Sequence, residues 1–424
     1  MITAVAQETQ TGPAMPRGRT LRAFFTARRW QGRPYLISPA ADFLMVGGLG
    51  IFLIPLLALF VPTDVVNDVS IQKYSVFLAG LVTYHVFAIN YPHFAFSYQI
   101  AYRRFGRCTD TSLPRTVRWR YLFALIGFPV MFVAYAAYAL TTSSVAADGS
   151  PGGRMLLGFL VNLMFLTVGW HYCKQCFGIL MVMSALKGIY FTRWERRVLL
   201  MNAMLVWLVS WVGGNIALGQ HQFWGVPYET LALGSMMPLP LHELMPIHRM
   251  MMRAVQLLGL VSFIVILRNG VRQKKRPSIT GITGFLMMYP LILLGYTVHP
   301  FWFWIVPAIH SLQYFPFVLA YKRNEIALKN TQSVDGAEAL PLPRRKHLVF
   351  GVFLGLAVAI GAAQFSWLPQ VFDALVAPEH KLHLPLMGMA LFHLFVNIHH
   401  YFIDNVIWRK ENPEVGRYLM HKDG

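Results

Sequence analysis

The segment HLFVNIHHYFIDNVIWR, His393 to Arg409, carries three histidines and an aspartate in a stretch otherwise apolar enough to cross a bilayer. Ionisable groups are costly in hydrocarbon and mark a functional position by default. Three further apolar segments contribute histidines: His85 and His93, His171, and His310. Neutral imidazole is the commonest side-chain ligand for iron, zinc and copper. Imidazoles from four separate segments therefore point to a metal centre inside the membrane, with His93, His171, His310, His399 and His400 as candidate ligands and His85 and His393 as further candidates. Two other readings stay open, a proton or ion pathway and polar packing between helices.

The donor types narrow the metal. Several imidazoles with few carboxylates suit a redox iron that binds dioxygen, or copper. Hard cations such as magnesium want oxygen ligands. A hydrolytic zinc site would need a general base and a route for water. Asp404 is the one clear intramembrane carboxylate, with pairing to Arg409 as its alternative role. Spacing adds a second restriction, because residues seven and four apart share a helix face. His393, His400 and Asp404 share one face, and His399 is turned about 100° away. Asn90, His93 and Ser97 align, as do His171 with Gln175 and His310 with Gln313 and His299. Each of these faces offers a polar neighbour able to orient an imidazole.

The elements that must position these residues are membrane helices. The chain of 424 residues is 56% hydrophobic and 13% charged, too few charges to cover a soluble surface of this size. The fold expected is all-α, a polytopic integral membrane bundle of about ten spans, at 41–62, 75–98, 119–140, 155–186, 198–218, 251–268, 281–298, 300–320, 348–368 and 384–408. The net charge of +19 sits in short loops between apolar segments, which fits topology and anionic lipid rather than nucleic acid. Basic loops such as YRRFGRCTDTSLPRTVRWR and RNGVRQKKRPS alternate with loops nearly free of Lys and Arg. The positive-inside rule then puts both termini in the cytoplasm of a multi-pass inner (plasma) membrane protein. On that frame His93, His310 and His399 lie about 15–18 Å above the first basic residue at the inner helix end, and His85, His171 and His393 roughly 24–27 Å above it. Residues 1–38 form a basic arm, 39–410 the helical domain with a capping or re-entrant outer loop at 219–249, and 411–424 a cytoplasmic tail in which NPEVGRYL suits an amphipathic segment on the membrane surface.

Other motifs carry less. HELMPIH (His242 to His248) lacks the spacing of a zinc protease, and Pro246 disturbs the helix it needs. Cys173 and Cys176 have CxxC spacing inside a span, where small-residue packing outweighs redox chemistry. The three cysteines are too few for a disulfide framework. The run Phe301, Trp302, Phe303, Trp304 suits an interfacial aromatic belt, or a slot for a polyene, sterol or acyl chain.

Four motifs in order, NYPHFAFSY, GWHYCKQCFG, AIHSLQYF and NIHHYFIDNVIWR, give the chain a distant resemblance to the bacterial Brp/Blh-type β-carotene dioxygenases. These are integral membrane proteins that use non-haem iron. The resemblance covers about a tenth of the chain. It implies an Fe2+ cofactor, His93, His171 and His310 as ligands, and His399 with Asp404 as its partner. Where that family has a second histidine in its IHSxxH motif, this chain has Tyr314, so His399, His400 or Tyr314 itself would complete the site. Asp404 and Tyr314 are thus the candidate catalytic residues. The function expected is a histidine-ligated oxygenase acting on a lipophilic substrate such as a carotenoid, sterol or acyl lipid. The alternatives are a proton- or ion-coupled transporter and a structural assembly factor. The absence of an internal repeat counts mildly against a transporter.

Overall fold

The computed structural model describes residues 34–60, 86–142, 152–219, 221–236, 240, 243–292, 302–332, 342–376, 382–409 and 411–419. Within them the chain is almost wholly helical. Helix α1 comprises Pro39–Phe43 and Leu49–Phe60 on either side of a wide turn, Leu44–Gly48. Helix α2 (Tyr91–Tyr102) follows a similar turn at Val86–Asn90. Helix α3 runs through Arg115–Leu122 and Phe128–Thr141, α4 is Gly152–Leu186 and α5 is Arg193–Ala217. A two-residue-per-strand hairpin (β1 Gln222–Phe223, β2 Val226–Pro227) and the short α6 (Leu231–Met236) precede α7 (Leu244–Arg272) and α8 (Ile279–Leu286). Helix α9 is Trp302–Gln332, α10 is Leu342–Ala362 continuing through a wide turn into Leu368–Leu375, and α11 is Met387–Ile407.

Local chemistry sets several of these boundaries. The Ser38 hydroxyl accepts from the Ala41 amide at 3.1 Å, and Pro39 occupies the first turn of α1, where its missing N–H costs nothing. Thr192 and Glu195 form a reciprocal capping box at the start of α5, with bonds of 3.2 and 2.7 Å. The wide turns each insert a residue into the helical repeat and rotate the face that follows.

Six helices among the described residues are long and apolar enough to cross a membrane: Pro39–Leu56, Arg115–Thr141, Gly152–Leu186, Arg193–Ala217, Leu244–Arg272 and Lys346–Leu375. Their outward faces carry exposed residues such as Phe52, Val133, Leu257, Ile264 and Val352, as a lipid-facing surface requires. Of the four other expected spans, 75–98 lies partly outside the described residues. The apolar helix at 281–298 is short, Ile279–Ile292. Helices α9 and α11 are long, 31 and 21 residues. Their buried His, Gln and Asp side chains lower their apolar character, and those are the groups that matter below.

Five packed clusters lie among the described residues. One joins α2, α3, α9, α10 and α11, and a second joins α3, α4, the hairpin and α11. A third joins α4, α5, α7 and α8, a fourth ties Leu36 and α1 to α4, α9 and the C-terminal turn, and a fifth packs Tyr91 and Phe94 against Ala362, Phe365 and Val396. Close helix crossings fix the relative heights. A Cβ on Gly361 of α10 would stand 2.6 Å from the backbone of Tyr91, two residues before His93. A Cβ on Gly47 would meet the Thr283 backbone at 2.7 Å, so α1 and α8 touch there.

One expectation is corrected. The segment after α11 does not present a free amphipathic face. Val415, Tyr418 and Leu419 are buried against α9, and Asn324 Nδ2 donates to the Tyr418 carbonyl at 2.8 Å. The arginines of YRRFGR make ion pairs. Arg103 pairs with Glu325 at 2.6 Å, while Arg104 and Arg107 pair with Glu414 at 2.5 and 3.2 Å. Both carboxylates are buried. The basic ends of α2 and α9 and the tail after α11 therefore form one layer. The outer loop packs as a hairpin on α4, with Val226 and Tyr228 buried.

The crossing at Gly361 yields a stability prediction. Gly361→Val forces α10 away from α2 and should destabilise by about 1–3 kcal/mol. Gly351→Ala, where no atom lies within 4 Å of the added carbon, should leave thermal unfolding in detergent unchanged. Equal melting temperatures for the two variants would contradict the crossing.

Candidate metal centre

Four helices each contribute one histidine to a common point: His93 from α2, His171 from α4, His310 from α9 and His400 from α11. One ring nitrogen from each lies within 4.8 Å of all the others, and all four residues are buried. Among the described residues this is the one group of metal-ligating side chains so disposed. The ring centroids of His93 and His310 are 5.0 Å apart, those of His93 and His400 4.5 Å, and those of His171 and His310 4.8 Å.

The decisive feature is what these rings lack. Both nitrogens of His93, His310 and His400, and Nε2 of His171, are buried without a hydrogen-bond partner. Leaving one such group unsatisfied costs about 1–3 kcal/mol. Seven together would be a large penalty unless something answers them. An ion coordinated by one nitrogen of each ring answers four at once. Donors about 2.1 Å from a shared ion stand at most about 4.2 Å from one another, so the observed spread needs only small ring rotations to close. The residues present thus fit a metal.

The surroundings brace this group. Tyr172 stacks on His310 with centroids 3.9 Å apart and planes 22° from parallel. Tyr314 sets its ring edge against His93 at 4.5 Å, and Phe94 lies 4.6 Å from His400. The polar neighbours expected to hold the rings hold the helices instead. Gln175 Nε2 donates to the His310 carbonyl at 2.9 Å, tying α4 to α9. Gln313 Nε2 donates to the carbonyls of Val46 at 2.6 Å and Gly284 at 3.2 Å, where α1 breaks and crosses α8. Ser311 donates to Asn90 at 2.9 Å, tying α9 to the turn before α2. The side-chain amides therefore fix helix height and rotation, and stacked rings fix the imidazoles.

Asp404 sits one turn beyond His400. Ser97 Oγ donates to its Oδ1 at 2.5 Å, and the Tyr314 hydroxyl lies 3.4 Å from the same oxygen. Tyr314 itself is bonded to Ser97 Oγ at 2.7 Å and accepts from Trp408 Nε1 at 3.0 Å. Oδ2 is left without a hydrogen-bond partner and faces Nε2 of His400 at 3.5 Å and Nε2 of His171 at 3.7 Å. Asp404 is thus fixed beside the rings with one oxygen directed at them, and Tyr314 is placed to support it rather than to coordinate.

Not every candidate lies here. His399 points the other way: Nδ1 bonds the Tyr98 hydroxyl and Nε2 the Ala124 carbonyl, each at 2.8 Å. With both nitrogens engaged it has none for a metal, and His400 holds the position that the family resemblance gave to His399. His393 is near the outer hairpin, its ring 4.4 Å from Trp224 and its Nδ1 bonded to the Met389 carbonyl. His85 and His299 lie outside the described residues, as does His242 of HELMPIH and the side chains of 301–304. His248 bonds the Val209 carbonyl at 3.1 Å. Cys173 and Cys176 are buried free thiols, with Cys176 Sγ 3.6 Å from Gln313. Sequence reasoning missed the stack from Tyr172, the bond from Trp408 and a cavity of about 790 Å³ that begins at His171, Tyr314 and Asp404. No periodicity signals these, since each depends on how two helices meet.

No family model, curated protein or solved structure matches this chain.

The geometry predicts a sharp division among variants. His93→Ala and His310→Ala should abolish tight metal retention after detergent purification, whereas His399→Ala should retain the metal. Asp404→Asn, which keeps the shape but weakens the support, should lower affinity about 10–100-fold. Elemental analysis of matched preparations checks this, and loss of metal from His399→Ala alone would contradict it.

Proposed function

We propose that this chain is a multi-pass membrane metalloprotein, a non-haem iron oxygenase acting on a lipophilic substrate. One observation carries the reading: four buried imidazoles with unpartnered nitrogens converge on one point, and one of them, His171, lines a cavity whose walls are mainly apolar. Four imidazoles would fill the tetrahedron that zinc prefers and leave no open position. Iron tolerates a higher coordination number and keeps room for dioxygen, and imidazole suits it. The resemblance to the Brp/Blh-type dioxygenases favours the same metal. In the membrane the bundle takes about ten spans, with both termini on the cytoplasmic side of the inner membrane.

His93, His171, His310 and His400 would hold the iron, which when bound supplies the activation of dioxygen that an organic side chain cannot. The protein's own groups then do the rest. Tyr172, Phe94 and Tyr314 keep the rings apart and dry, so that water does not compete in the site. Asp404, held by Ser97, offers Oδ2 to accept or return a proton beside the rings. The cavity aligns an elongated substrate with the histidines. A dioxygenase outcome balances without a reductant: one carbon–carbon double bond and one O2 become two carbonyl groups, with both oxygen atoms in the products.

Purified protein should contain stoichiometric iron. It should consume dioxygen in the presence of an unsaturated lipophilic substrate, tested with β-carotene and with unsaturated membrane lipid, and release carbonyl products labelled from 18O2. Metal-stripped protein and His93→Ala should do neither. Undiminished turnover without metal, or a site filled by zinc with no oxygen uptake after iron exchange, would overturn the proposal.

A further inference from the structure

The cavity beside the metal centre has unlike ends. At one end its wall holds His171, Tyr314 and Asp404, and Lys174, Asn405 and Arg409 join them there. Lys174 follows His171 by three residues and Asn405 follows His400 by five, so each stands within about one and a half turns of a histidine. Beyond them the wall is apolar, with Phe177, Val182 and Ala185 on α4, Phe317 on α9, and then Phe191. Arg196, exposed near the start of α5, marks the other end. From Lys174 to the end of α4 is twelve residues, about 18 Å of helix, the length of a long acyl chain. Gly178 lies on this stretch, with no atom within 4 Å of where a Cβ would stand.

Lys174 and Arg409 share one acceptor. Lys174 Nζ donates to Asn405 Oδ1, and Arg409 Nη2 donates to the same oxygen at 3.2 Å. Two hydrogen bonds to one atom hold the charges within about 6 Å of each other. Arg120 on α3 adds a third positive charge whose field reaches both. The carboxylates whose fields reach Lys174 are Asp404 and Glu411. Asp404 directs Oδ2 at the imidazoles, and Glu411 is exposed. Among the described residues no carboxylate stands within ion-pair distance of Lys174 or Arg409. Cations at this depth ordinarily pair, as Arg103 and Arg104 do with Glu325 and Glu414. A neutral amide oxygen does not offset two charges, so the counter-charge has to come from what enters the cavity.

We propose that Lys174 and Arg409 form a carboxylate site at the histidine end of the cavity, and that its ligand is a single-chain fatty acid whose chain lies along α4 toward Phe191. The bonds to Asn405 leave Lys174 two of its three N–H groups and leave Arg409 its Nη1. Asn405 is thus a spacer that sets two cations side by side with donors to spare. The volume of about 790 Å³ suits the enclosure of one small molecule, for which about 300–1,000 Å³ is usual. A consequence rests on the oxygenase reading: the acid is then the substrate, and the double bond nearest its carboxylate is the one that meets dioxygen. A hydrocarbon polyene has no group for this pair. Binding itself needs no metal and is measured separately.

The test uses the full-length protein in neutral detergent, stripped of metal, with the fluorescent fatty acid cis-parinaric acid as probe and its methyl ester as the neutral control. The acid should bind about tenfold tighter than the ester, because only the acid makes charge-assisted hydrogen bonds. Lys174→Gln and Arg409→Gln should each narrow that preference and together abolish it, whereas Lys174→Arg, which keeps the charge, should retain it. Arg196→Gln, at the other end, should leave it unchanged. Gly178→Leu, which fills the apolar stretch, should weaken acid and ester alike. Thermal unfolding of every variant is followed alongside, and the single variants decide the matter where the double variant does not fold. Equal binding of acid and ester, a preference untouched in both glutamine variants, or one lost in Arg196→Gln would overturn the proposal. Tight, charge-dependent binding without dioxygen uptake after iron loading would support the site and count against the oxygenase reading alone.

Discussion

The structure depends on satisfying imidazole nitrogens buried at the meeting point of four helices. In hydrocarbon each buried donor or acceptor must find its partner within the protein or on a bound ion. His399 and His393 meet that demand with hydroxyl and carbonyl groups. His93, His171, His310 and His400 do not, although they lie at the convergence of four helices. Convergence alone would raise the energy of the fold. With a shared metal it becomes the point that holds α2, α4, α9 and α11 together, and the binding free energy adds to folding stability.

The frame keeps that point in place by dividing the work. Side-chain amides set the heights of the helices against one another through backbone carbonyls. Gln313 does so across the break in α1, and Gln175 does so between α4 and α9. Aromatic rings fix the imidazoles by contact. At the basic end, Glu325 and Glu414 gather arginines from α2 and its following turn, so that the helix ends share one layer. Exposed ion pairs contribute little. These carboxylates are buried, and removing one partner would leave a charge stranded, which is far costlier than the pair is worth.

Much of this was legible in the sequence. Composition and charge alternation implied a helical membrane bundle, and six of the apolar runs coincide with helices long enough to span, closely for 155–186 against Gly152–Leu186 and more loosely for 251–268 against Leu244–Arg272. The histidine-bearing helices α9 and α11 were harder to weigh, because the polar residues that make the site also lower the apolar signal of the span. Helix periodicity put His400 on one face with Asp404, and the structure puts those two side by side. The family resemblance had favoured His399, whose rotation by about 100° carries it to α3 instead. The tail was misjudged for a physical reason: Val415 and Leu419 have the pattern of a surface helix, and a protein groove buries such a face as readily as lipid does. Tyr172 and Trp408 could not be foreseen, since their roles arise from interhelical distances that spacing does not encode. Of Lys174, the sequence allowed only that it turns toward a polar interior. Its bond to Asn405 supplies the partner.

The most direct measurement of the central claim is X-ray absorption at the iron edge on purified, iron-loaded protein. The account predicts first-sphere scattering from nitrogen and oxygen, with the outer-shell multiple scattering of imidazole rings numbering four, weakened by one ring in His310→Ala reconstituted at excess iron. A spectrum dominated by sulfur, or by water oxygens with no imidazole signature, would contradict it.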